Sequence, residues 1–319
     1  MTSTVPVAVF AFRRLDLLKK TLSALQQCDG YPGGPVVVFS DAARSEVDGE
    51  AGLVAELRTW LAKWCRDQKA HLVEAEVNQG LRRSIVDGVT GLLRDHDRVI
   101  VIEDDIVVSR SFLKFMHRGL ETFQLNERVF QISGYMVPHR KRLADSGFLS
   151  VPGCWGWATW RRAWDHYSDD AAQLVKRLEP LDLRRFDIDG SYGYLDSLKL
   201  NAEGRQNTWM VRWYASIFIM GGLVAYPGHS LTRNIGFSEP GTNCGPGTMG
   251  RVFESQAISD RLPLLPEQAQ EVIETPAFRR VLSEFYRWQQ DRWSAPSFRQ
   301  VWTGRFRRVL KYLRIRSSS

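Results

Sequence analysis

Three adjacent carboxylates, Glu103, Asp104 and Asp105, stand directly behind the apolar run Val99–Ile102 and ahead of Ile106–Val108. Acids that close repel one another, and at the end of a buried strand they also lose hydration, so the triplet calls for a cation. A hard divalent ion, Mg²⁺ or Mn²⁺, meets that need, because it takes few protein carboxylates and shares its other positions with water and substrate phosphates. Read alone, the triplet equally describes acids ending a strand in solvent. Its neighbours favour the first reading. Arg13-Arg14 follows the run 5–12, Asp41 follows 36–40, and the segment Asn78–Ser84, with Arg83 and Ser84, follows 71–77. If each run is a strand, these polar groups meet in one crevice. There the arginines face a diphosphate, and Asp41 accepts from a base or ribose.

The elements that must position them are legible as alternation. The run 5–12 precedes Leu18, Leu22 and Leu25 at helical spacing, and 36–41 precedes a helix carrying Leu57, Leu61 and Trp64. The run 71–77 precedes Ile85, Val89 and Leu92, and 99–105 precedes a helix over 111–123 and a strand over 129–132. Short β-branched runs alternating with helices predict βαβ units and a mostly parallel sheet covered on both faces. Beyond that, residues 138–160 read as loop and 165–206 as short helical pieces. Residues 209–220 read as a buried helix closed by Gly221-Gly222, and 223–227 as a returning strand. The expected division is 1–135 as a ligand-binding half, 136–260 as the second half of the same domain, and 261–319 as a helical extension.

A chain of 319 residues, 44% apolar and 25% charged, has the material for a sizeable core. Its four cysteines, at 28, 65, 154 and 244, match neither a zinc nor a CxxC spacing and read as buried thiols. The first apolar run is too short to span a membrane and lacks a signal-peptide layout, so a cytoplasmic location is expected. The net charge of +7 is local. Removing the seven cations of residues 298–319 from the 43 Lys and Arg leaves 36, which match the 36 acids. In that tail Phe298, Val301, Trp302, Phe306, Val309, Leu310 and Leu313 recur at helical spacing among cations and no acid. This is the pattern of an interfacial helix on an anionic membrane, here the inner face of the plasma membrane. Docking on the protein's own core competes with that reading, and nucleic acid is not an expected partner.

The order of runs over 5–135, centred on VIVIEDDIVVSRSFLKFM, resembles the nucleotide-sugar half of GT-A glycosyltransferases. It is most similar to inverting bacterial sugar transferases related to the Golgi β-1,2-N-acetylglucosaminyltransferase I. The segments PGCWGWATWRRAW, NTWMVRWYASIF, GGLVAYPGHSLTRNIGF and GTNC continue that order to about residue 245. The resemblance implies transfer of a sugar from a nucleotide diphosphate sugar, a UDP sugar first, to a hydroxyl of a glycan or lipid-linked oligosaccharide. It implies Mn²⁺ or Mg²⁺ on Asp105, ribose and sugar hydroxyls on Asp104 and Glu103, and the diphosphate near Arg14. Asp41 is placed near the base and Arg83 with Ser84 on the donor side, and the Gly156-Trp157 pair resembles a donor or acceptor loop of the family. The polar loop 230–237 after the last strand reads as closing over the diphosphate, with Arg233 or His229 supplying charge to the leaving group, and Trp209 is a further donor-side candidate.

Trp157, Trp160 and Trp164 fall at helical spacing, a stripe that more often packs a core than binds a ring. Trp155 and Gly156-Trp157 stand before it, where glycine lets backbone approach a ligand and an indole faces a sugar. Inverting transfer also needs a base for the acceptor proton. The family's acidic pair aligns here on Asn207 and Thr208, so the base is expected from Asp196, Asp189 or Glu239. Two other readings stay open. One is a sugar nucleotidyltransferase, which the glycine-free FAFRRLDLL disfavours. The other is a non-catalytic nucleotide-sugar or glycan-binding protein, which Asn207 favours.

Overall fold

The computed structural model describes residues 4–237, 248–266 and 271–293. Strands β1 (Val7–Ala11), β2 (Val36–Ser40), β3 (His71–Glu74) and β4 (Arg98–Glu103) alternate with helices α1 (Leu15–Gln26), α2 (Glu50–Gln68) and α3 (Gly80–Asp95). Then come β5 (Ile106–Val108), α4 (Phe112–Thr122), β6 (Val129–Ser133), β7 (Ser146–Leu149), β8 (Trp157–Trp160) and α5 (Arg161–Trp164). Helices α6 (Ala171–Leu178), α7 (Leu183–Phe186), α8 (Tyr194–Ala202) and α9 (Trp209–Ile219) lead to β9 (Leu223–Pro227) and β10 (Thr232–Asn234). Helices α10 (Thr248–Glu254) and α11 (Pro276–Trp293) complete the described chain.

The expected α/β architecture is present: one eight-stranded sheet in the order β3-β2-β1-β4-β8-β6-β9-β7. The block β3-β2-β1-β4 is parallel, β8 runs against both β4 and β6, and β7 runs against β9. Every residue of β1 is buried, and β4 is buried through Val99–Ile102, so both strands are apolar throughout rather than alternating. Gly88 lets α3 settle on them, since a Cβ there would stand 2.7 Å from the Phe10 ring. The sheet is continuous across residue 135. Cys28 and Cys65 are buried as expected and Cys154 is half-buried, while Cys244 lies outside the described residues. Burial pushes the Cys28 thiol up to about 12.

Three readings are corrected. The stretch 138–160 holds β7 and β8, four residues each, too short for alternation to register against their glycines and tryptophans. Trp157 and Trp160 lie on a strand and not on a helix. Their odd spacing sends them to opposite faces, Trp160 donating to the Leu120 carbonyl at 3.1 Å and Trp157 stacking on Trp209 at 5.2 Å. The fourth apolar run ends at Glu103, and Asp104-Asp105 form a turn into β5.

Candidate functional site

In the parallel block, β1 is flanked by β2 on one side and β4 on the other, so the strand order reverses between β1 and β4. Open α/β sheets place ligands outside the carboxyl ends of the strands at such a point. Two polar segments emerge there: Arg13-Arg14 after β1, and the acidic turn after β4. The structure joins them. The Arg14 guanidinium ion-pairs with Asp104 and, at 2.8 Å, with Asp105. The cation that the triplet calls for is thus supplied first by the chain itself.

The three acids differ in what remains free. Asp104 is 3% exposed, accepts from the Phe12 amide at 3.3 Å, and has its carbonyl held by Thr21 at 2.9 Å. It ties the β1–α1 connection to the turn, which leaves little of it for a ribose. Burial pushes it up to about 6, opposed by Arg14, so it is ionised at neutral pH. Asp105 is 9% exposed, its carbonyl held by the Ile235 amide at 2.9 Å and its carboxylate facing Arg14. Glu103 is half-buried, and burial, then Asp105 and Asp104, push it up to about 8. Its neutral form is favoured.

A raised acid binds its proton more tightly in the folded chain. Its contribution to stability is therefore complete below the ordinary 4.5 and lost as pH climbs through about 8. In metal-free buffer, Glu103→Gln is expected to flatten the fall in Tm between those pH values and to raise Tm at pH 8.5 relative to the unsubstituted protein. An unchanged slope would show that Glu103 is not held neutral.

The other expected residues divide. Asp41 is 8% exposed and accepts from the Gln79 and Gly80 amides, both at 2.9 Å, and from Asn78 Nδ2 at 3.1 Å. Its carboxylate fixes the start of α3, so a base would have to compete with those amides. Arg83 points outward and pairs with Asp87 at 3.1 Å, while the Ser84 hydroxyl is buried with no partner among the described residues. Trp157 and Trp209 stack on each other, 0% and 3% exposed, and offer no open ring face. Arg233 is half-buried on β10, opposite Val107 of β5. His229 is exposed and stacks on His139.

Of the proposed bases, Asp189 receives Arg279 Nε at 3.0 Å and Nη2 at 3.1 Å. That pair holds it below the usual carboxylate range, a poor state for taking a proton. Asp196 is exposed in the first turn of α8, with no hydrogen bond or ion pair among the described residues and no contact to the acidic turn. Glu239 lies outside the described residues.

Sequence reasoning missed two residues. Gly236, read as part of a polar loop, follows the small β5–β10 sheet and lies against Asp105 and Arg14, where an added Cβ would strike the Asp105 carboxylate. Only a glycine fits there, and an isolated glycine in a loop gives no such signal. Asp169 ion-pairs with Arg82 at the start of α3, accepts from the Tyr167 hydroxyl at 3.0 Å, and sits 3.6 Å from Arg212 of α9. Arg212 also donates to the Thr208 carbonyl at 2.6 Å, so Asp169 is the acid held beside the start of α9.

Among the described residues no three His, Cys, Asp or Glu side chains converge as a metal cage. The donor set does fit an ion that one carboxylate shares with phosphates and water, with Asp105 as that carboxylate.

No family model and no curated protein matches the chain. Solved structures similar to it include a mannosyltransferase from Pyrobaculum calidifontis in complex with GDP-Man and Mn²⁺. That likeness is 14% identical, covers 69% of this chain and 70% of that one, and has a TM-score of 0.36. GalNAc-T7 with UDP, GalNAc and Mn²⁺ is 10% identical over 71% of this chain and 43% of that one, TM-score 0.42. TarS 1–349 from S. aureus is 11% identical over 72% and 59%, TM-score 0.39.

Proposed function

We propose that this chain is a glycosyltransferase that moves a sugar, with inversion, from a nucleotide diphosphate sugar to a hydroxyl of a bacterial surface glycan intermediate. The observation that carries the reading is the joining of Arg14 and Asp105 at the switch point between β1 and β4. Arg14, 19% exposed and already oriented by two acids, can turn its open edge to a diphosphate. Asp105 would hold Mn²⁺ or Mg²⁺, which when bound would neutralise the charge that develops on the leaving diphosphate. Glu103, pushed toward its neutral form by burial and its two acid neighbours, would both donate to and accept from sugar hydroxyls. The β5–β10 sheet, with Gly236 and Arg233, closes one side of the donor.

The acceptor proton needs a base, for which Asp196 and Glu239 are the proposed acids; Asp169, like Asp189, is held below the usual carboxylate range by its arginines. Glu239 stands three residues after Gly236 in the sequence. A UDP sugar is the proposed donor. The tail, residues 298–319, lies outside the described residues and is the proposed anchor to an anionic membrane surface. No described helix is long and apolar enough to cross one.

The test is a thermal-shift and turnover screen of UDP, GDP, dTDP and CMP sugars with and without Mn²⁺. One nucleotide is expected to raise Tm far more with Mn²⁺ than without, and Mn²⁺ alone to do little, because the protein supplies a single carboxylate. No shift with any nucleotide would sink the reading. Metal-dependent binding with no transfer to any acceptor would instead support the binding-protein reading, which Asn207 and Thr208 favour where an acid pair was expected.

A further inference from the structure

A second concave site opens between the loop after β6 and the C-terminal helices α10 and α11. The cleft holds about 540 Å³. One wall is aromatic: Phe285 and the half-buried Trp288 of α11, their rings 5.7 Å apart. The facing rim is the run His139-Arg140-Lys141, with Glu284 at its edge. This rim is fixed in place. The His139 ring stacks on His229 at 5.2 Å, with its nitrogens 2.8 Å from the Gly228 carbonyl and 3.1 Å from the Lys141 carbonyl.

Charge at the rim is unbalanced. Lys141 pairs with Glu284 at 3.4 Å, whereas the exposed Arg140 has no ion pair among the described residues. A guanidinium group beside an apolar wall suits a ligand that is anionic at one end and has a ring with a C–H face at the other. A phosphate is the anion whose geometry best matches the guanidinium fork. The chain's own residues 298–319 are a poor occupant, since they bring seven further cations and no acid to a basic rim.

The cleft is also connected to the acidic turn. From Trp288 the rings run through Phe285 to Phe253 at 5.8 Å and on to Phe237 at 5.0 Å. Phe237 follows Gly236, whose backbone lies against Asp105. A ligand in the cleft therefore rests at one end of an aromatic row whose other end borders the proposed donor.

We propose that this cleft is the acceptor subsite and takes a phosphate-bearing saccharide, with the phosphate on Arg140 and a sugar ring against Trp288. Its role as acceptor subsite rests on the transfer reading; its binding of a sugar phosphate does not. The experiment titrates the full chain, held in saturating UDP and Mn²⁺, with glucose 1-phosphate, glucose, and phosphatidylglycerol vesicles. Glucose 1-phosphate is expected to bind with UDP in place, at least tenfold more tightly than glucose. Arg140→Gln should weaken it about tenfold or more while Tm and UDP affinity stay unchanged, and Trp288→Leu should weaken glucose and glucose 1-phosphate alike. Displacement of glucose 1-phosphate by UDP would place it in the donor site and overturn the proposal, as would equal binding of glucose or an indifferent Arg140→Gln. Vesicles that displace glucose 1-phosphate through Arg140 would show that a bare lipid headgroup suffices, and would overturn the saccharide. Absence of UDP binding, with glucose 1-phosphate still held through Arg140, would remove the transfer reading and leave the cleft standing.

Discussion

Asp105→Asn is expected to abolish Mn²⁺-dependent binding of the nucleotide donor, weakening it about a hundredfold or more, while the protein stays folded. The loss follows from the donor set. No three acids form a cage among the described residues, and Asp104 is taken up by Arg14 and the Phe12 amide, so the amide at 105 removes the carboxylate proposed for the ion. Retention of the fold follows from the local balance. Arg14 faces both Asp104 and Asp105, and turning one into an amide leaves one guanidinium with one carboxylate, a better-neutralised buried pair. The checks are donor titration in Mn²⁺ and in EDTA, with thermal denaturation of the same samples. Donor affinity equal to that of the unsubstituted protein in Mn²⁺ would reject Asp105 as the metal ligand. A collapse of Tm would show that the residue is structural.

The centre of the parallel block, β1 and β4, was legible because both of its faces are covered, whereas the edge strand β3 is exposed. Strands buried on two sides read as unbroken runs such as Val99–Ile102, and their spacing by amphipathic helices leaves little freedom in topology. The inserted antiparallel strands were not legible. β7 and β8 are short, and what makes β8 a strand is pairing with β4 and β6, whose residues lie far from it in the chain. The same distance in sequence hid the pairing of Arg14 with the acidic turn. Sequence showed that the triplet needs a cation and that an arginine follows β1, but only the adjacency of β1 and β4 makes the second answer the first. Asp41 shows the converse. Its place at a strand end suggested a ligand, yet the amides at the start of α3 lie within reach and use its oxygens. A polar residue at the right end of the right strand is available to a ligand only if the backbone has not already claimed it.

Arg14 itself gives the largest expected effect on stability. Removing one member of a buried ion pair leaves its partners charged and desolvated, which costs about 3–5 kcal/mol. Arg14→Leu leaves two such partners, Asp104 at 3% and Asp105 at 9% exposure, beside a Glu103 already held near its limit. The variant should unfold at lower urea, by an amount in that range at pH 7.5. It should also recover as pH falls, because the carboxylates then escape their charge by taking up protons, and a raised acid stabilises the fold only below its folded pKa. Lysine should rescue little, since a single ammonium cannot span two carboxylates as the guanidinium fork does. Combining Arg14→Leu with Asp104→Asn should restore part of the lost stability without restoring donor binding, which separates the structural share of the arginine from its share in holding phosphate. Urea titrations of the three variants at pH 5.5 and 7.5 decide it. If Arg14→Leu is as stable as the unsubstituted protein at pH 7.5, the acids are not neutralised by Arg14, and the site must be organised around an ion from the start.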